Sequence, residues 1–298
     1  MNIPTHKQVV FFLELCRDFH FSQAAGRLGV AQPQLSRSIR ELEAIVGERL
    51  FSREGRRVGL TSSGEVFLKE VYRLPAILSR AIQGARRAAA GEEAILRLGF
   101  LGALMGEDLL GVFDRFRREH PNTQLSLVDL PPVELARQVE VGELDGAFLG
   151  VRPSTLPAGL AYLEWKEEPL LACLPKGHAL EGRKRLQVKD LKGETLVVLA
   201  TRLAPSYREF LDDLFSAAGE RIEEVRETNG SDAMLSMVVA GCGVALLPRS
   251  ALRGAAERLS VVPLQGKGTR LREVFLYRPE ARDEVSGLLK LLSRRSIV

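Results

Sequence analysis

The sequence predicts a small, mainly α-helical unit over residues 1–60 and a larger α/β unit of two lobes over residues 92–298, joined by a long helix. Three observations lead to this prediction. Apolar residues recur at helical spacing up to residue 46, which indicates amphipathic helices. Between residues 61 and 91 the apolar spacing alternates between four and three, which favours one helix with a single apolar seam. After residue 91 short apolar strands alternate with helical segments, as in a mostly parallel sheet covered by helices.

The composition is that of a globular protein with a mildly basic balance. The 298 residues are 45% hydrophobic and 27% charged, with a net charge of +4, which permits an anionic partner without requiring one. The three cysteines show no CxxC spacing, so neither a disulfide framework nor a zinc site is indicated. No apolar run approaches the ~20 residues of a membrane span, and the first residues do not resemble a signal peptide. We therefore expect a cytoplasmic protein with no membrane partner and no cofactor.

Three helices are predicted before residue 47. The first places Val9 and Phe12 on an apolar face. Ser22 is a good N-cap for the second helix, because its hydroxyl can accept a hydrogen bond from a first-turn amide. The third has Pro33 at its first position and Gly47 at its end, which are typical start and stop residues. Its apolar side consists of Leu35, Ile39, Leu42 and Val46.

The opposite side of the third helix is polar near its N-terminus. It carries Gln34, Ser36, Arg37 and Arg40. A short helix, a tight turn and a longer helix with such a face form a helix-turn-helix, whose second helix enters the major groove of DNA. Gln can bond adenine there, and Arg can pair with guanine. An ordinary three-helix bundle with a solvated face is the alternative.

The next residues favour DNA binding over the bundle. Residues 49–57, RLFSREGRR, contain four arginines and one glutamate. Phe51 and the alternation of Val58 and Leu60 predict two short strands, with Glu54-Gly55 in the turn. A basic hairpin directly after a recognition helix is a wing, and its arginines can reach a phosphate or the minor groove.

The predicted linker helix begins after a capping sequence and runs to about residue 90. Thr61 or Ser62 can cap it, with Glu65 as the box partner. Pro75 should kink it or remove one backbone hydrogen bond. The seam favours pairing with a second copy of the chain, because half-site recognition needs two recognition helices; the alternative is a helix that lies on its own domain. The seam residues are Phe67, Val71, Leu74, Leu78, Ala81 and Ala85.

The α/β unit is predicted as two lobes, lobe I over 92–164 and 267–298 and lobe II over 165–266. Two lobes joined by crossover strands leave a cleft, and ligands in such folds lie at the carboxyl ends of strands and at helix N-termini. Predicted strands cover 94–101, 125–129, 145–151, 169–175, 195–199, 223–228, 243–248 and 272–277, and helices cover 106–119, 133–142, 205–218, 231–240 and 280–293. The candidate ligand-binding residues are Leu101, Gly102, Ala103, Leu104, Met105, Pro131, Pro132, Arg152, Thr201, Arg202, Asn229 and Gly230.

Three segments carry a resemblance to the LysR-type transcriptional regulators, and the resemblance covers the whole chain. They are residues 21–53, residues 60–67 (LTSSGEVF) and residues 238–248 (VVAGCGVALLP). The resemblance implies a winged helix-turn-helix, a dimerising linker helix and a periplasmic-binding-protein-like effector domain in a homodimer or homotetramer. Residues 199–215 look most like the branch of the family that controls aromatic catabolism.

Site residues are also implied by the resemblance. Gln32, Pro33, Ser36 and Arg37 would meet base edges or adjacent phosphates of double-stranded DNA, and Ser22 would bond a phosphate. The wing arginines Arg53, Arg56 and Arg57 would contact the backbone or the minor groove. A regulator of this kind is expected at the bacterial nucleoid, and it would contact RNA polymerase if it is an activator.

The effector-binding loops depart from the pattern of many relatives, which place hydroxyl side chains in two loops of the cleft. Here Ala103 and the pair Pro131-Pro132 supply none. A carboxylate is left with helix amides near residues 104–106, and Arg152 and Arg202 either compensate or are solvated. The effector is therefore an aromatic or carboxylate metabolite, a neutral compound, or absent.

An enzyme and a transport-type binding protein are the two alternatives from other classes. The four histidines are scattered, and the HExxH, GxSxG, GxGxxG and P-loop motifs are missing, so we expect no enzyme. A transport-type binding protein would share the two-lobed fold but would lack the DNA-binding unit. The sequence therefore predicts a transcription factor that responds to a small molecule.

Overall fold

The computed structural model describes residues 3–54, 57–90, 93–157, 159–252, 257–280 and 283–293. The chain divides into two compact units, Met1–Glu92 and Glu93–Val298. Among the described residues, no helix is both long and apolar enough to cross a membrane.

The first unit contains five helices and a two-stranded hairpin in its described part. They are α1 (His6–Leu15), α2 (Phe21–Leu28), α3 (Gln32–Val46), β1 (Phe51–Glu54), β2 (Arg57–Leu60), α4 (Ser62–Val71) and α5 (Leu74–Ala90). Phe12, Leu35 and Leu42 are fully buried between the first three helices. The small side chains of Ala24 and Ala25 are buried too, which lets α2 lie close to its neighbours.

Short polar contacts fix the ends of these elements. The Glu43 carboxylate accepts hydrogen bonds from the amides of Leu50 (2.8 Å) and Phe51 (3.1 Å), where the chain leaves α3 for β1. The Thr61 hydroxyl accepts from the amide of Gly64 at 3.0 Å and so caps α4. A side chain at Gly64 is excluded, because a Cβ there would lie 2.1 Å from the carbonyl oxygen of Leu50.

Two local expectations for this unit are corrected. The N-cap of α2 is His20 rather than Ser22, and the Ser22 hydroxyl instead lies 3.0 Å from Nδ1 of His20. The linker is two helices rather than one, since α4 ends at Val71 and α5 begins at Leu74. Pro75 explains the break, because a proline ring clashes with the carbonyl four residues before it, here that of Val71.

The second unit has an eight-stranded mixed sheet and a separate strand pair. Its strands are β3 (Ala94–Phe100), β4 (Thr123–Asp129), β5 (Gly146–Leu149), β6 (Ala161–Pro175), β7 (Leu186–Gln187), β8 (Thr195–Leu199), β9 (Glu224–Thr228), β10 (Ala245–Pro248), β11 (Leu259–Gln265) and β12 (Arg270–Tyr277). The order in the large sheet is β4-β3-β5-β12-β6-β11-β7, with β10 also paired to β6, and β8 pairs with β9. The pairs β3–β4, β3–β5 and β8–β9 are parallel, whereas β6 is antiparallel to β10, β11 and β12.

Helices cover both faces of these strands. They are α6 (Glu107–Glu119), α7 (Pro132–Val141), α8 (Pro205–Ala217), α9 (Ser231–Val239) and α10 (Asp283–Ser293). On β5, Phe148 packs with residues of α6 and α10, whereas its neighbours Ala147 and Leu149 pack with residues of α7. Successive side chains of a strand point to opposite faces. The strand β8 alternates in the same way, with Val198 towards α8 and Val197 towards α9.

A cluster of charged side chains lies where β6 and β12 pair. Lys166 Nζ lies 2.9 Å from an Asp108 oxygen and 3.8 Å from an oxygen of Glu273, and it also contacts the Glu168 carboxylate. The side chain of Glu273 is fully buried, and neither of its carboxylate oxygens accepts a hydrogen bond from the described residues. Burial raises the pKa of Glu273 to about 8, which outweighs the opposite effect of Lys166.

We predict that Glu273 makes the protein less stable as the pH rises. Between the unfolded pKa near 4.5 and the folded value of about 8, the folded protein holds a proton that the unfolded chain has released. Its stabilising contribution is therefore complete below the unfolded pKa and is lost as pH rises towards about 8. Glu273→Gln removes this term, so the midpoint of thermal unfolding should fall less steeply for the variant than for the wild type between about pH 6 and pH 8.5. Glu119→Gln, at an exposed position of α6, is the control, and equal slopes for Glu273→Gln and the wild type would contradict the prediction.

Candidate DNA-binding surface and ligand cavity

The predicted DNA-facing side chains of α2 and α3 lie on the surface of the first unit. The apolar side of α3 is buried, with Leu35, Ile39 and Leu42 at most 3% exposed. The polar residues therefore point the other way. Ser22, Gln32, Pro33, Gln34, Arg37 and Arg40 are exposed, and Ser36 is half-buried.

The N-terminus of α3 is suited to a negatively charged partner. Its N-cap, Ala31, has no side chain that accepts from the first-turn amides, and no acidic residue lies in the first turn. The positive end of the helix dipole is therefore not neutralised locally. Helix N-termini of this kind bind phosphates through their free amides.

Arg37 is held only weakly by the protein itself. Its guanidinium pairs with Glu41 at 2.9 Å, one turn along the helix, but the Arg37 side chain is 79% exposed. Such pairs contribute about 0.3–0.5 kcal/mol. A guanine edge or a phosphate can therefore replace Glu41 at little cost.

The wing is attached to the helices by aromatic contacts. Phe51 on β1 lies 5.3 Å from Phe12 and 6.5 Å from Phe21, measured between ring centroids. The hairpin register pairs Glu54 with Arg57. Arg56 lies outside the described residues, and for Arg53 and Arg57 the structure describes the backbone alone.

The six seam residues fall into two groups. Val71 is buried and Phe67 packs edge-on against Phe12 at 5.1 Å, so these two belong to the core of the first unit. The other four lie on α5 and are exposed, where Ile77 and Ile82 join them. We call this exposed surface the α5 stripe; it consists of Leu74, Ile77, Leu78, Ala81, Ile82 and Ala85.

The second unit contains a largely apolar cavity of about 440 Å³. Its walls come from the carboxyl ends of β3, β5, β8 and β10 and from the N-terminal turns of α7, α8 and α9. Four of the predicted ligand-binding residues line it: Leu101, Ala103, Leu104 and Pro132. We call this space the main cavity.

A smaller cavity of about 270 Å³ shares Leu101, Pro132, Leu199 and Ser231 with the main cavity. We call it the side cavity. The predicted residues that line it are Leu101, Gly102, Pro131, Pro132, Asn229 and Gly230.

The remaining predicted residues line neither cavity. Met105 packs against the apolar core beneath α6. The Arg152 guanidinium lies 4.7 Å from the centroid of the Tyr162 ring, and Arg202 donates a hydrogen bond to the Asn229 side chain at 2.7 Å. Thr201 donates from its amide (2.9 Å) and its hydroxyl (2.7 Å) to the Glu227 carboxylate.

Most lining residues were not named as candidates from the sequence, and three polar ones among them are Asp129, Tyr207 and Arg137. Asp129 lies in the side cavity, and its carboxylate accepts a hydrogen bond from the Gly102 amide at 2.8 Å. Tyr207 lies in the main cavity and donates its hydroxyl proton to the carbonyl of Leu246; burial raises the pKa of Tyr207. Arg137 also lines the main cavity. Only Asp129 had a signal in the sequence, its place at the end of a predicted strand.

The described residues contain no group of three or more His, Cys, Asp or Glu side chains that could hold a metal ion. The first unit offers a polar helix end beside a hairpin, and the second unit offers a largely apolar cavity.

Comparison with known proteins also separates an N-terminal part of the chain from a C-terminal part. Residues 6–65 match the family described as bacterial regulatory helix-turn-helix protein, lysR family, and residues 89–293 match the LysR substrate binding domain. The HTH-type transcriptional regulator IlvR of Caulobacter vibrioides is 30% identical, over 96% of this chain and 97% of that protein. AlsR of Bacillus subtilis, another HTH-type transcriptional regulator, is 29% identical over 82% of this chain and 80% of its own.

Solved structures share the fold. CbnR, a LysR family transcriptional regulator, superposes with a TM-score of 0.67 at 22% identity, over 98% of this chain and 99% of that one. Full-length CbnR complexed with its target DNA gives a TM-score of 0.65 at 22% identity, over 97% and 99% of the two chains.

Proposed function

The chain belongs to the LysR family of bacterial helix-turn-helix transcriptional regulators, and from this membership we propose how its parts divide the work of regulation. Residues 1–60 bind double-stranded DNA, residues 61–91 pair with a second copy of the chain, and residues 92–298 bind a small-molecule effector. The two lobes of the last part, 92–164 with 267–298 and 165–266, enclose the effector.

One observation carries the DNA-binding part of the proposal: the exposed polar face at the uncapped, acid-free N-terminus of α3. Gln34 and Arg37 can read base edges from such a helix in the major groove. Ser22 and the helix amides suit phosphates, and the wing arginines suit the backbone or the minor groove.

The α5 stripe supports pairing with a second copy. Leu74, Ile77, Leu78 and Ile82 are each between 42% and 46% exposed. Contiguous exposed apolar surface of this kind marks an interaction site in a stable protein. The exposed alanines of the stripe, Ala81 and Ala85, allow close approach of a partner helix. Pairing through the stripe gives a homodimer, and two such dimers give a homotetramer.

The main cavity supports effector binding. It lies at the carboxyl ends of strands from both lobes, where ligands of open α/β sheets are found. Its volume of about 440 Å³ falls within the roughly 300–1,000 Å³ of small-molecule sites.

We predict that Arg37→Ala weakens binding to a specific DNA sequence by about 1–3 kcal/mol, because a bidentate contact to guanine is worth that much. The duplex is one selected from random sequence by repeated binding to the wild-type chain. Affinity is measured by fluorescence anisotropy for this duplex and for an unrelated duplex of the same length, and the loss should be confined mainly to the selected one.

Arg117→Ala is the matched control for Arg37→Ala. It removes an exposed helical arginine that pairs with Asp114 three residues away, but in the second unit. It should bind both duplexes as the wild type does. Wild-type affinity of Arg37→Ala for the selected duplex would remove Arg37 from the reading residues.

We predict that Leu78→Asp abolishes dimers, because it places a charge in the middle of an apolar contact where it would be buried without a partner. Sedimentation velocity should show a monomer. Ser79→Asp, the adjacent exposed position on α5 outside the stripe, should keep the wild-type mass. If Leu78→Asp sediments as the wild type does, the α5 stripe is not the dimer contact.

A further inference from the structure

Carboxylates line both cavities of the second unit. Asp129 and Asp232 lie in the wall of the side cavity, and Glu140 and Glu209 lie in the wall of the main cavity. Among the described lining residues, Arg137 alone is basic. Under the proposed function these charges face the effector.

Arg137 is already engaged by two carboxylates. Its Nε donates to one Glu134 oxygen at 2.8 Å, and a terminal nitrogen donates to the other at 2.6 Å and to Glu143 at 3.0 Å. The guanidinium holds the pKa of Glu134 below its usual range, so the pair stays ionised at neutral pH. An anionic ligand that approaches Nε or this terminal nitrogen would have to compete with these carboxylates.

The backbone amide at the end of β3 is also taken. Gly102 donates its N–H to Asp129 at 2.8 Å, so a carboxylate of the protein already accepts from this amide. Gly102 eases this close approach, because a Cβ at residue 102 would lie 2.5 Å from the other Asp129 oxygen and the carboxylate would have to shift.

Acidic residues offset the N-termini of two of the three helices around the main cavity, those of α7 and α9. The first turn of α8 has no acidic residue but loses one donor at Pro205, because proline has no N–H. The first turns of α7 and α9 carry Glu134 and Asp232, which neutralise the positive ends of these helices.

The rest of the lining suits an apolar body with an uncharged or cationic polar group. Leu101, Leu104, Leu149, Met234 and Leu271 supply much of the apolar wall. Ser154, Thr155 and Ser206 add hydroxyl groups to the same wall, and hydroxyls can donate to or accept from a neutral ligand.

We propose that the main and side cavities together bind an apolar amine as the preferred effector class, accept the corresponding alcohol, and reject the corresponding carboxylate, with Asp129 as the residue that sets this order. The proposal rests on the effector-binding role given above to residues 92–298. It excludes the acidic metabolites that the sequence left open.

The test uses ligands that share one apolar body and differ in the polar group. The full-length chain is titrated calorimetrically at about pH 7, where the amine is protonated and the carboxylate ionised, with 3-phenylpropylamine, 3-phenylpropan-1-ol and 3-phenylpropanoate. The cyclohexyl analogues form a second set. The amine should bind at least about tenfold more tightly than the carboxylate, since like charges repel and opposite charges attract, and the alcohol should lie between them.

Asp129→Asn tests the assigned residue. It should weaken amine binding about tenfold or more and improve carboxylate binding, because the carboxylate that faces the ligand becomes neutral. Asp114→Asn, an exposed aspartate on α6 that lines neither cavity, should keep the wild-type order. If Asp129→Asn does not fold, the order of ligand affinities in the wild type still tests the proposed ligand class.

Three results would overturn the proposal: tighter or equal binding of the carboxylate by the wild type, no binding of any member of either set, or an unchanged order in folded Asp129→Asn. DNA binding is measured on the same preparations, so that failure of the proposed ligand class can be told apart from failure of the proposed DNA-binding function. A wild-type chain that binds its selected duplex but ranks the ligands wrongly overturns the ligand class alone. A chain that ignores duplex DNA at low salt overturns the DNA-binding role.

Discussion

The pairing of β6 with β12 is the constraint on which the second unit depends. The first part of β6 pairs with β12 beside β5, and its last part pairs with β10 and β11. One continuous strand therefore packs against the cluster of α6 and α10 and against the clusters of α8 and α9. The ends of β3, β5, β8 and β10 meet at one cavity. Lys166 and Glu273 face each other across this pairing. The strands that join the lobes thus carry a fully buried carboxyl at their centre, beside a lysine, and burial raises the pKa of that carboxyl to about 8.

Much of the fold could be predicted because its local signals agree with its packing. The strand at 195–199 and the helices near 106–119 and 205–218 match β8, α6 and α8 within a residue or so. The first part of β6 was missed because its run of charged residues hides the alternation, and β11 was missed because Pro263 lies inside it. A proline argues against a strand unless that strand lies at an edge or bulge, and here the pairing with β6 overrides the local signal.

The candidate sites also include one part that the sequence could predict and one part that it could not. The reading face of α3 follows from helical period alone, since burial of Leu35, Ile39 and Leu42 sends the polar residues outward. The cavity could be placed only near the ends of predicted strands and the starts of predicted helices. Its charge could not be predicted, because it depends on which partner each side chain takes: Arg202 turns to Asn229, Arg152 to Tyr162, and Asp129 to the Gly102 amide. These partners are distant in the sequence, so sequence periodicity does not predict the contacts between them.

The contact between Gly102 and Asp129 also bears on how regulators of this family acquire new signals. Asp129 approaches the amide this closely because residue 102 has no side chain. Any other residue there forces the end of the Asp129 side chain to shift, and a serine adds a hydroxyl beside the N–H. Under the proposed charge preference, one codon at the end of β3 can turn a receptor for amines towards acids while the walls of the cavity stay as they are. In such a protein the ligand specificity can therefore change through fewer substitutions than a change of fold would need.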